Sequence, residues 1–267
     1  MKLSDRFRRL ARAVISAQVG VYAANAAFFI LLSVFPAMML LIGLLQYTPL
    51  TPTDLERALS GFIPTALSPL LDYMTQELFL MNSVGILSVS AVFAVWSSSR
   101  GVYSLIRGIN NVYHIRETQN YFVLRLRSAL DTVLLLLALI ATLILHLFGR
   151  ELSSRLEKSG LFMLSSLFHM NHIFIFLILT ALFSVFYTRF PGQKQPLSRA
   201  LPGAAATALG WVVFSALFTF YVSKAGSFSL YYGSLSVIIL TMLWLYVCMC
   251  IFFYGGMLNY YLQKNKK

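Results

Sequence analysis

Six apolar stretches divide the chain, and each is long enough to cross a lipid bilayer as a helix. One crossing needs about 20 mostly apolar residues. The stretches cover 20–46, 84–106, 128–148, 169–187, 201–222 and 235–262. Charged residues make up only 11% of the chain, against about a quarter in soluble domains. We therefore predict an all-α fold: a polytopic membrane helical bundle of about six transmembrane helices plus amphipathic interfacial helices, with 1–267 as a single integral membrane domain.

Two segments outside these stretches have the residue spacing of amphipathic helices. In 1–18, apolar residues share one face and arginines occupy the other. This pattern predicts a cytoplasmic amphipathic helix on the anionic leaflet, although a solvated helix has the same pattern. Within 48–82, apolar residues of the 54–78 stretch recur at helical spacing, interrupted at Pro64 and Pro69. We predict an outer-face amphipathic segment, which either lies in the interface or caps other helices.

The basic residues are distributed unevenly between the two sides of the predicted membrane. Fifteen of the 21 Lys and Arg fall on the side that holds 1–18, the 107–127 and 188–199 loops and the C-terminal tail. Cytoplasmic loops of membrane proteins carry an excess of Lys and Arg. We therefore predict that both the N-terminus and the C-terminus are cytoplasmic. The net charge of +12 is accounted for by this topology, so we expect no nucleic-acid partner.

Residues that could carry catalysis or bind a metal are few and scattered. Of the four histidines, only His169 and His172 share a helix face, and no carboxylate accompanies them. Cys248 and Cys250 would lie about 200° apart on a helix, so they can neither pair nor share a metal. The sequence has no Gly-x-Ser-x-Gly elbow and no phosphate-binding P-loop. We expect no enzyme activity, no metal and no cofactor.

Pro36 lies in the middle of the first apolar stretch. A proline there removes one helical hydrogen bond and crowds the carbonyl of Leu32, which predicts a kink. Ser33 lies three residues earlier, where its hydroxyl could hydrogen-bond the freed backbone. Ser33 and Pro36 are therefore the candidate kink residues. The kink is either a fixed shape of the helix or a hinge that opens a pathway, and the sequence leaves both open.

Arg100 is the one basic residue inside a predicted span. A charge at the bilayer centre costs at least about 2.5 kcal/mol, so such residues usually face the protein interior. One hypothesis is a substrate-binding site of Arg100, Ser97, Asn110 and Asn111 near the inner leaflet, with Asp131 as the ion-pair partner of the arginine. Its guanidinium would hold an anionic headgroup through two hydrogen bonds. The other hypothesis is an anchor, because a long cationic side chain can extend to the headgroups.

Six short motifs, taken in order along the chain, resemble those of the YihY/BrkB family of bacterial inner-membrane proteins. Each motif is weak alone, but the six together are specific and extend over nearly the whole chain. They are AANAAFFILLSVFP at 23–36, WSSSRG at 96–101, NNVY at 110–113, LPGA at 201–204, YGSL at 232–235 and GGMLN at 255–259.

The resemblance implies a six-helix protein of the bacterial cytoplasmic membrane with cytoplasmic termini. Members of the family were once labelled ribonuclease BN, a label generally regarded as misassigned, and some relatives are proposed lipid transporters. Many relatives have an acidic residue near the C-terminus where this chain has Met257. A proton- or cation-coupling role attached to that acid does not transfer to this chain.

Two functional hypotheses follow from the polar residues in the spans and from the resemblance. The first is a transporter or flippase of an amphipathic, anionic, lipid-like substrate, with membrane lipids as its partners. Without a P-loop, such transport is gradient-driven, passive or dependent on another protein. The alternative is a structural or scaffold envelope protein that moves nothing. A tRNA-processing nuclease is disfavoured, and a homo-oligomer or an envelope partner is left open.

The predicted topology can be tested with reporter fusions. Reporters placed after residues 65, 160 and 228 should report the outer side, and those after 118, 193 and 267 the cytoplasm, because the basic loops stay inside. A cytoplasmic signal at residue 65 would contradict the topology at its first hairpin.

Overall fold

The computed structural model describes residues 18–45, 51–59, 63–64, 67–68, 72, 84–115, 122–124, 126–131, 133, 171–193, 195–224 and 235–264. The principal helices are α1 (Val19–Leu45), α2 (Pro52–Leu59), α3 (Val84–Val112), α4 (Asn171–Arg189), α5 (Leu197–Lys224) and α6 (Leu235–Lys264). Residues 122–124 and 126–131 are also helical. Within these described ranges there is no strand, so the all-α prediction is confirmed.

Helices α1, α5 and α6 are long and apolar enough to cross a membrane. In α4 the apolar stretch is shorter and covers Ile175–Arg189. They fit the predicted membrane helical bundle. Helix α3, which contains the predicted second span, is not among these helices, and the predicted third span, 128–148, lies mostly outside the described residues. The number of six spans therefore stays a prediction. The predicted amphipathic helix at 1–18 also lies outside them, except for Gln18.

The predicted 48–82 segment is described only in part. Within it, α2 begins with a reciprocal cap: the Asp54 carboxylate accepts a hydrogen bond from the Thr51 amide at 2.9 Å, and the Thr51 hydroxyl faces the Asp54 amide. Farther along, Leu67 is buried among the residues of the main hydrophobic core. At Leu67, at least, the segment is in contact with the bundle.

Helix α3 is longer than the sequence predicted, which placed the end of this span at residue 106 and a loop after it. The helix continues to Val112 because its apolar stripe continues: Leu105, Ile109 and Val112 are all buried. Hydropathy falls at Arg107, but Arg107 is exposed and does not interrupt the packed stripe. The candidate residues Asn110 and Asn111 therefore lie on a helix rather than in a loop.

Helices α1 and α3 pack antiparallel along a seam of small residues. On α3 these recur every three or four positions, the spacing of one helix face. They are Ser90, Ala94, Ser97, Gly101, Ser104 and Gly108. The Ser104 hydroxyl donates to the Tyr22 carbonyl at 3.1 Å, and at the other end the Ser90 hydroxyl lies 3.4 Å from the Met39 sulfur. Close approach through small side chains is how helices associate in lipid, where apolar burial provides little drive.

Helices α4, α5 and α6 pack successively antiparallel around an aromatic core. Phe183 of α4 contacts Trp211 of α5 and Phe252 of α6, with ring centroids 5.6 and 5.9 Å apart. Trp211 meets Trp244 edge to face at 5.5 Å. Helix α3 joins this group and runs parallel to α6, since Gly108 lies against Phe253, Ile109 against Gly256 and Tyr113 against Tyr260.

These helix directions bring one set of helix ends together. Helices α3, α4 and α6 finish, and α1 and α5 begin, at what we call the Val112 end of the bundle. There the Gly192 amide donates to the Asn110 side-chain oxygen at 2.8 Å. The rings of Tyr113 and Tyr260 meet edge to face at 6.0 Å.

Helix α1 continues through Pro36 without interruption. The Ser33 hydroxyl donates to the Ile30 carbonyl at 2.7 Å. The hydroxyl therefore bonds the carbonyl of a residue six positions before the proline. It does not bond the Leu32 carbonyl, which Pro36 leaves without its amide partner and for which the sequence had suggested Ser33. The reason is geometric, since a serine hydroxyl on a helix reaches back three or four residues and not forward.

Helices α5 and α6 approach each other closely at Gly255. A side-chain carbon at this position would overlap the Thr207 hydroxyl oxygen and would lie 2.8 Å from the Gly203 carbonyl oxygen, which is backbone. Gly255→Ala should therefore lower the midpoint of thermal unfolding of the detergent-purified protein, because overpacking costs about 1–3 kcal/mol.

Gly20→Ala is the matched control for this substitution. Its added carbon would meet only the Tyr246 hydroxyl oxygen, at 3.2 Å and at the far end of a flexible side chain. Unfolding midpoints of Gly255→Ala and Gly20→Ala that both equal the parent's would show that α5 and α6 are not packed this closely.

Candidate functional site

Arg100 lies on the exposed face of α3 and not in the protein interior, which the substrate-site hypothesis had required. Its guanidinium carbon is 5.4 Å from the Phe29 ring centre and 5.1 Å from that of Trp96. Trp96 itself is 47% exposed. Arg100 precedes Val112 by twelve residues, roughly 18 Å along the helix at 1.5 Å per residue. It is therefore an exposed cation well inside the length of the helix.

A second arginine, seven residues nearer the Val112 end, also lies over an aromatic ring. Arg107 is exposed, and its guanidinium carbon lies 5.5 Å from the centre of the Tyr103 ring. Trp96, Arg100, Tyr103 and Arg107 are spaced by four, three and four residues, which aligns them on one stripe of the helix. We call these four residues the arginine face of α3. An arginine over an aromatic ring gains about 0.5–2 kcal/mol, more when water is excluded.

Ser97 and Asn110 do not join Arg100. Ser97 is buried in the seam with α1, and its hydroxyl donates to the Phe93 carbonyl of its own helix at 2.6 Å. Asn110 is buried roughly 15 Å farther along the helix axis and accepts a hydrogen bond from Gly192. Asn111, next to it, is half-buried. Asn110 thus fixes the chain that follows α4 rather than facing the arginine.

Asp131 also has different partners from the one that the sequence suggested. Its carboxylate lies 3.2 Å from an Arg189 nitrogen and 3.8 Å from Arg127 Nε. Arg189 ends α4, so this pair forms at the Val112 end. The proposed ion pair with Arg100 was wrong because it relied on both residues being near the same membrane face. The extension of α3 to Val112 places Arg100 too far from that end.

The most extensive buried polar network at the Val112 end was not foreseen from the sequence. Asn259 of α6 accepts a hydrogen bond from the Gly203 amide at 2.7 Å and donates to the Ala200 carbonyl at 2.9 Å. These two backbone groups lie on either side of Pro202, which has no amide hydrogen to donate. Asn259 therefore stabilises the first turns of α5. The signal in the sequence was the asparagine that closes the GGMLN motif, which was noted only as part of a resemblance.

Two further hydroxyl groups extend this network. The Tyr187 hydroxyl lies 2.7 Å from the Thr207 hydroxyl, and Thr207 donates to the Gly203 carbonyl at 2.8 Å. Tyr113 lies just beyond the end of α3, where burial raises its pKa to about 12. Tyr113 is therefore neutral at physiological pH. The network joins helices α4, α5 and α6 by hydrogen bonds among neutral groups.

The described residues include no group of three or more His, Cys, Asp or Glu that could share a metal ion. His146 and His169 lie outside these residues, and the His172 side chain is not described. His114 is exposed, with its ring 5.3 Å from that of Tyr260. Cys248 is buried and reduced, and Cys250 is half-buried and reduced.

Comparison with known proteins gives one consistent result. A family model described as Virulence factor BrkB matches residues 10–267. The ribonuclease-like protein YfkH of Bacillus subtilis is 32% identical over 248 residues, which are 91% of this chain and 90% of that protein. A UPF0761 membrane protein of Coxiella burnetii is 25% identical, over 89% of this chain and 86% of its own length. Another, from Alcanivorax borkumensis, is 25% identical over 72% of this chain but only 44% of its own length. No solved structure matches the chain.

Proposed function

The chain belongs to the virulence factor BrkB family and is a multi-pass membrane protein, and from this premise we propose that it is a transporter or flippase of an anionic, lipid-like amphipathic substrate. The observation that carries the proposal is Arg100, an exposed cation on a helix that packs lengthwise against the membrane-spanning α1. Family membership supports the membrane location, and the substrate follows from the arginine.

The free energy of placing a charge in lipid favours a ligand at Arg100. An arginine at the bilayer centre costs at least about 2.5 kcal/mol, and the rings of Phe29 and Trp96 offset only part of this. Within the described residues Arg100 forms no ion pair. A phosphate or carboxylate headgroup would complete its coordination, since a guanidinium binds such groups through two parallel hydrogen bonds.

The two arginines of the arginine face define a path along α3 for the headgroup of the substrate. Arg107 and Arg100 are seven residues apart, or roughly 10 Å along α3, and lie on the same stripe. A headgroup would pass from Arg107, nearer the Val112 end, to Arg100, deeper in the bilayer. Because both arginines of this stripe are exposed, the acyl chains of the substrate would remain in the surrounding lipid while its headgroup follows the helix.

We assign the protein to the bacterial cytoplasmic membrane, with the Val112 end facing the cytoplasm. The sequence distribution of Lys and Arg, with 15 of 21 in 1–18, the 107–127 and 188–199 loops and the C-terminal tail, supports this orientation, in which both termini are inside. Membrane lipids are then its partners. The ribonuclease-like name of the Bacillus relative is not extended to this chain, because no feature of the described residues favours that activity.

The scaffold hypothesis remains the second candidate, and it rests on the same residue. A long cationic side chain flanked by aromatic rings is also typical of a membrane anchor, which requires only charge and reach. In that case the protein binds a second copy or an envelope partner and moves no lipid. A lysine at position 100 separates the two functions, because it keeps the charge and loses the two-pronged hydrogen bonding.

The test is lipid movement in liposomes that contain the purified protein and a fluorescent phosphatidylglycerol, followed by quenching of the outer leaflet. The parent protein should move the lipid. Arg100→Ala and Arg100→Lys should each slow it at least about tenfold, the effect of losing roughly 1.4 kcal/mol of headgroup binding.

Lys264→Ala is the control, because it removes a cation that lies 6.0 Å from the Tyr260 ring at the bundle end rather than on the arginine face. It should move lipid at the parent rate. A full rate for Arg100→Lys would show that Arg100 acts only as an anchor and does not bind the headgroup through two hydrogen bonds. No movement of lipid by the parent protein would reject the transporter.

A further inference from the structure

We propose that Arg127 and Arg189, oriented by Asp131, form a second anion-binding site at the Val112 end, which takes a phosphate group. The phosphate would belong either to a lipid headgroup or to free phosphate, which present the same chemistry. This site does not depend on Arg100 or on transport.

The site is built around one buried carboxylate. The Asp131 side chain is 7% exposed, and one of its oxygens is 3.2 Å from an Arg189 Nη atom. Its other oxygen has no hydrogen-bond partner and lies 3.8 Å from Arg127 Nε. Arg127 in turn donates a hydrogen bond to the main-chain carbonyl of Arg189. Both guanidinium groups are thereby held on one side of the end of α4.

The charges in this cluster do not balance. Within the described part of the chain, two guanidinium groups face one carboxylate, which leaves one positive charge in excess. Each guanidinium has five N–H donors, and the contacts with Asp131 and the Arg189 carbonyl use only a few of them. The Arg189 side chain is 56% exposed and that of Arg127 30%, so their remaining donors are accessible from outside the bundle. Two partly exposed guanidiniums with unused donors suit the tetrahedral oxygens of a phosphate.

The surrounding backbone holds the cluster in place. Helix α4 ends at Arg189, and three residues later the Gly192 amide is fixed by the buried Asn110. The Arg127 guanidinium caps the C-terminus of α4, where a cation is favoured by the exposed carbonyl groups. A purely structural ion pair would need one arginine for one carboxylate. The second arginine provides the excess charge that a phosphate would neutralise.

The test uses the purified full chain in detergent. Every variant also carries Arg100→Ala, so that anion binding at Arg100 cannot contribute to the signal. The probes are inorganic phosphate, short-chain phosphatidylglycerol and short-chain phosphatidylcholine, and the readout is binding by native mass spectrometry together with the unfolding midpoint. Phosphatidylglycerol, inorganic phosphate or both should bind and raise the midpoint. Arg127→Gln and Arg189→Gln should each weaken this binding at least tenfold.

Two further variants make the outcome decisive. Arg199→Gln removes an exposed arginine of α5 outside the cluster, and binding should be unchanged. Arg189→Lys keeps a positive charge opposite Asp131, so the variant should fold. It should bind phosphate severalfold more weakly, because a lysine cannot form the two parallel hydrogen bonds of a guanidinium. Binding of phosphatidylglycerol but not of inorganic phosphate identifies a lipid headgroup as the ligand. The site is rejected if neither anion binds, if phosphatidylcholine binds as well as the anions, or if Arg127→Gln and Arg189→Gln both bind like the parent.

Discussion

The close approach of α5 and α6 at Gly203 and Gly255 is the contact on which the Val112 end of the bundle depends. In lipid, burial of apolar surface does not drive helices together, so association relies on contact between small residues and on hydrogen bonds between helices. The missing side chains at Gly203 and Gly255 leave no gap, because each backbone fills the space beside the other. Only at this separation can Asn259 bind the Gly203 amide and the Ala200 carbonyl at the same time.

The same rule governs the other half of the bundle and explains where its polar residues lie. Along the seam of α1 and α3, serine and glycine replace larger residues, and the Ser97 hydroxyl bonds to its own helix. This seam occupies one side of α3, so the charged residues of the helix can lie only elsewhere. Arg100 and Arg107 consequently lie beside the seam on an exposed face, where Arg100 reaches the Phe29 ring of α1. The proposed substrate site is thus a consequence of how α3 packs.

The positions of the apolar helices could be predicted from the sequence because lipid imposes a length and a composition on each span. The span predicted at 20–46 corresponds to the helix Val19–Leu45, and the span predicted at 169–187 corresponds to Asn171–Arg189. The end of α3 could not be predicted from hydropathy, because Arg107 lowers it although Ile109 and Val112 continue the packed stripe. The Arg189 partner of Asp131 could not be predicted either, because Arg189 is 58 positions away in the sequence and only the fold brings the two side chains together. Of the candidate residues, Arg100 remains the proposed headgroup-binding residue, but its neighbours are the rings of Phe29 and Trp96 rather than the predicted polar residues.

Helix α3 has two faces, one packed on α1 and one on which Arg100 is exposed. The direct measurement is oxygen accessibility of spin labels placed singly along α3 in liposomes, after Cys248 and Cys250 are replaced by alanine. Labels at Phe93, Trp96 and Arg100 should be highly accessible to oxygen dissolved in the lipid, and those at Ala94, Ser97 and Gly101 shielded. Labels at Trp96 and Arg100 that are as shielded as the one at Ser97 would contradict the account, because Arg100 would then face the protein interior.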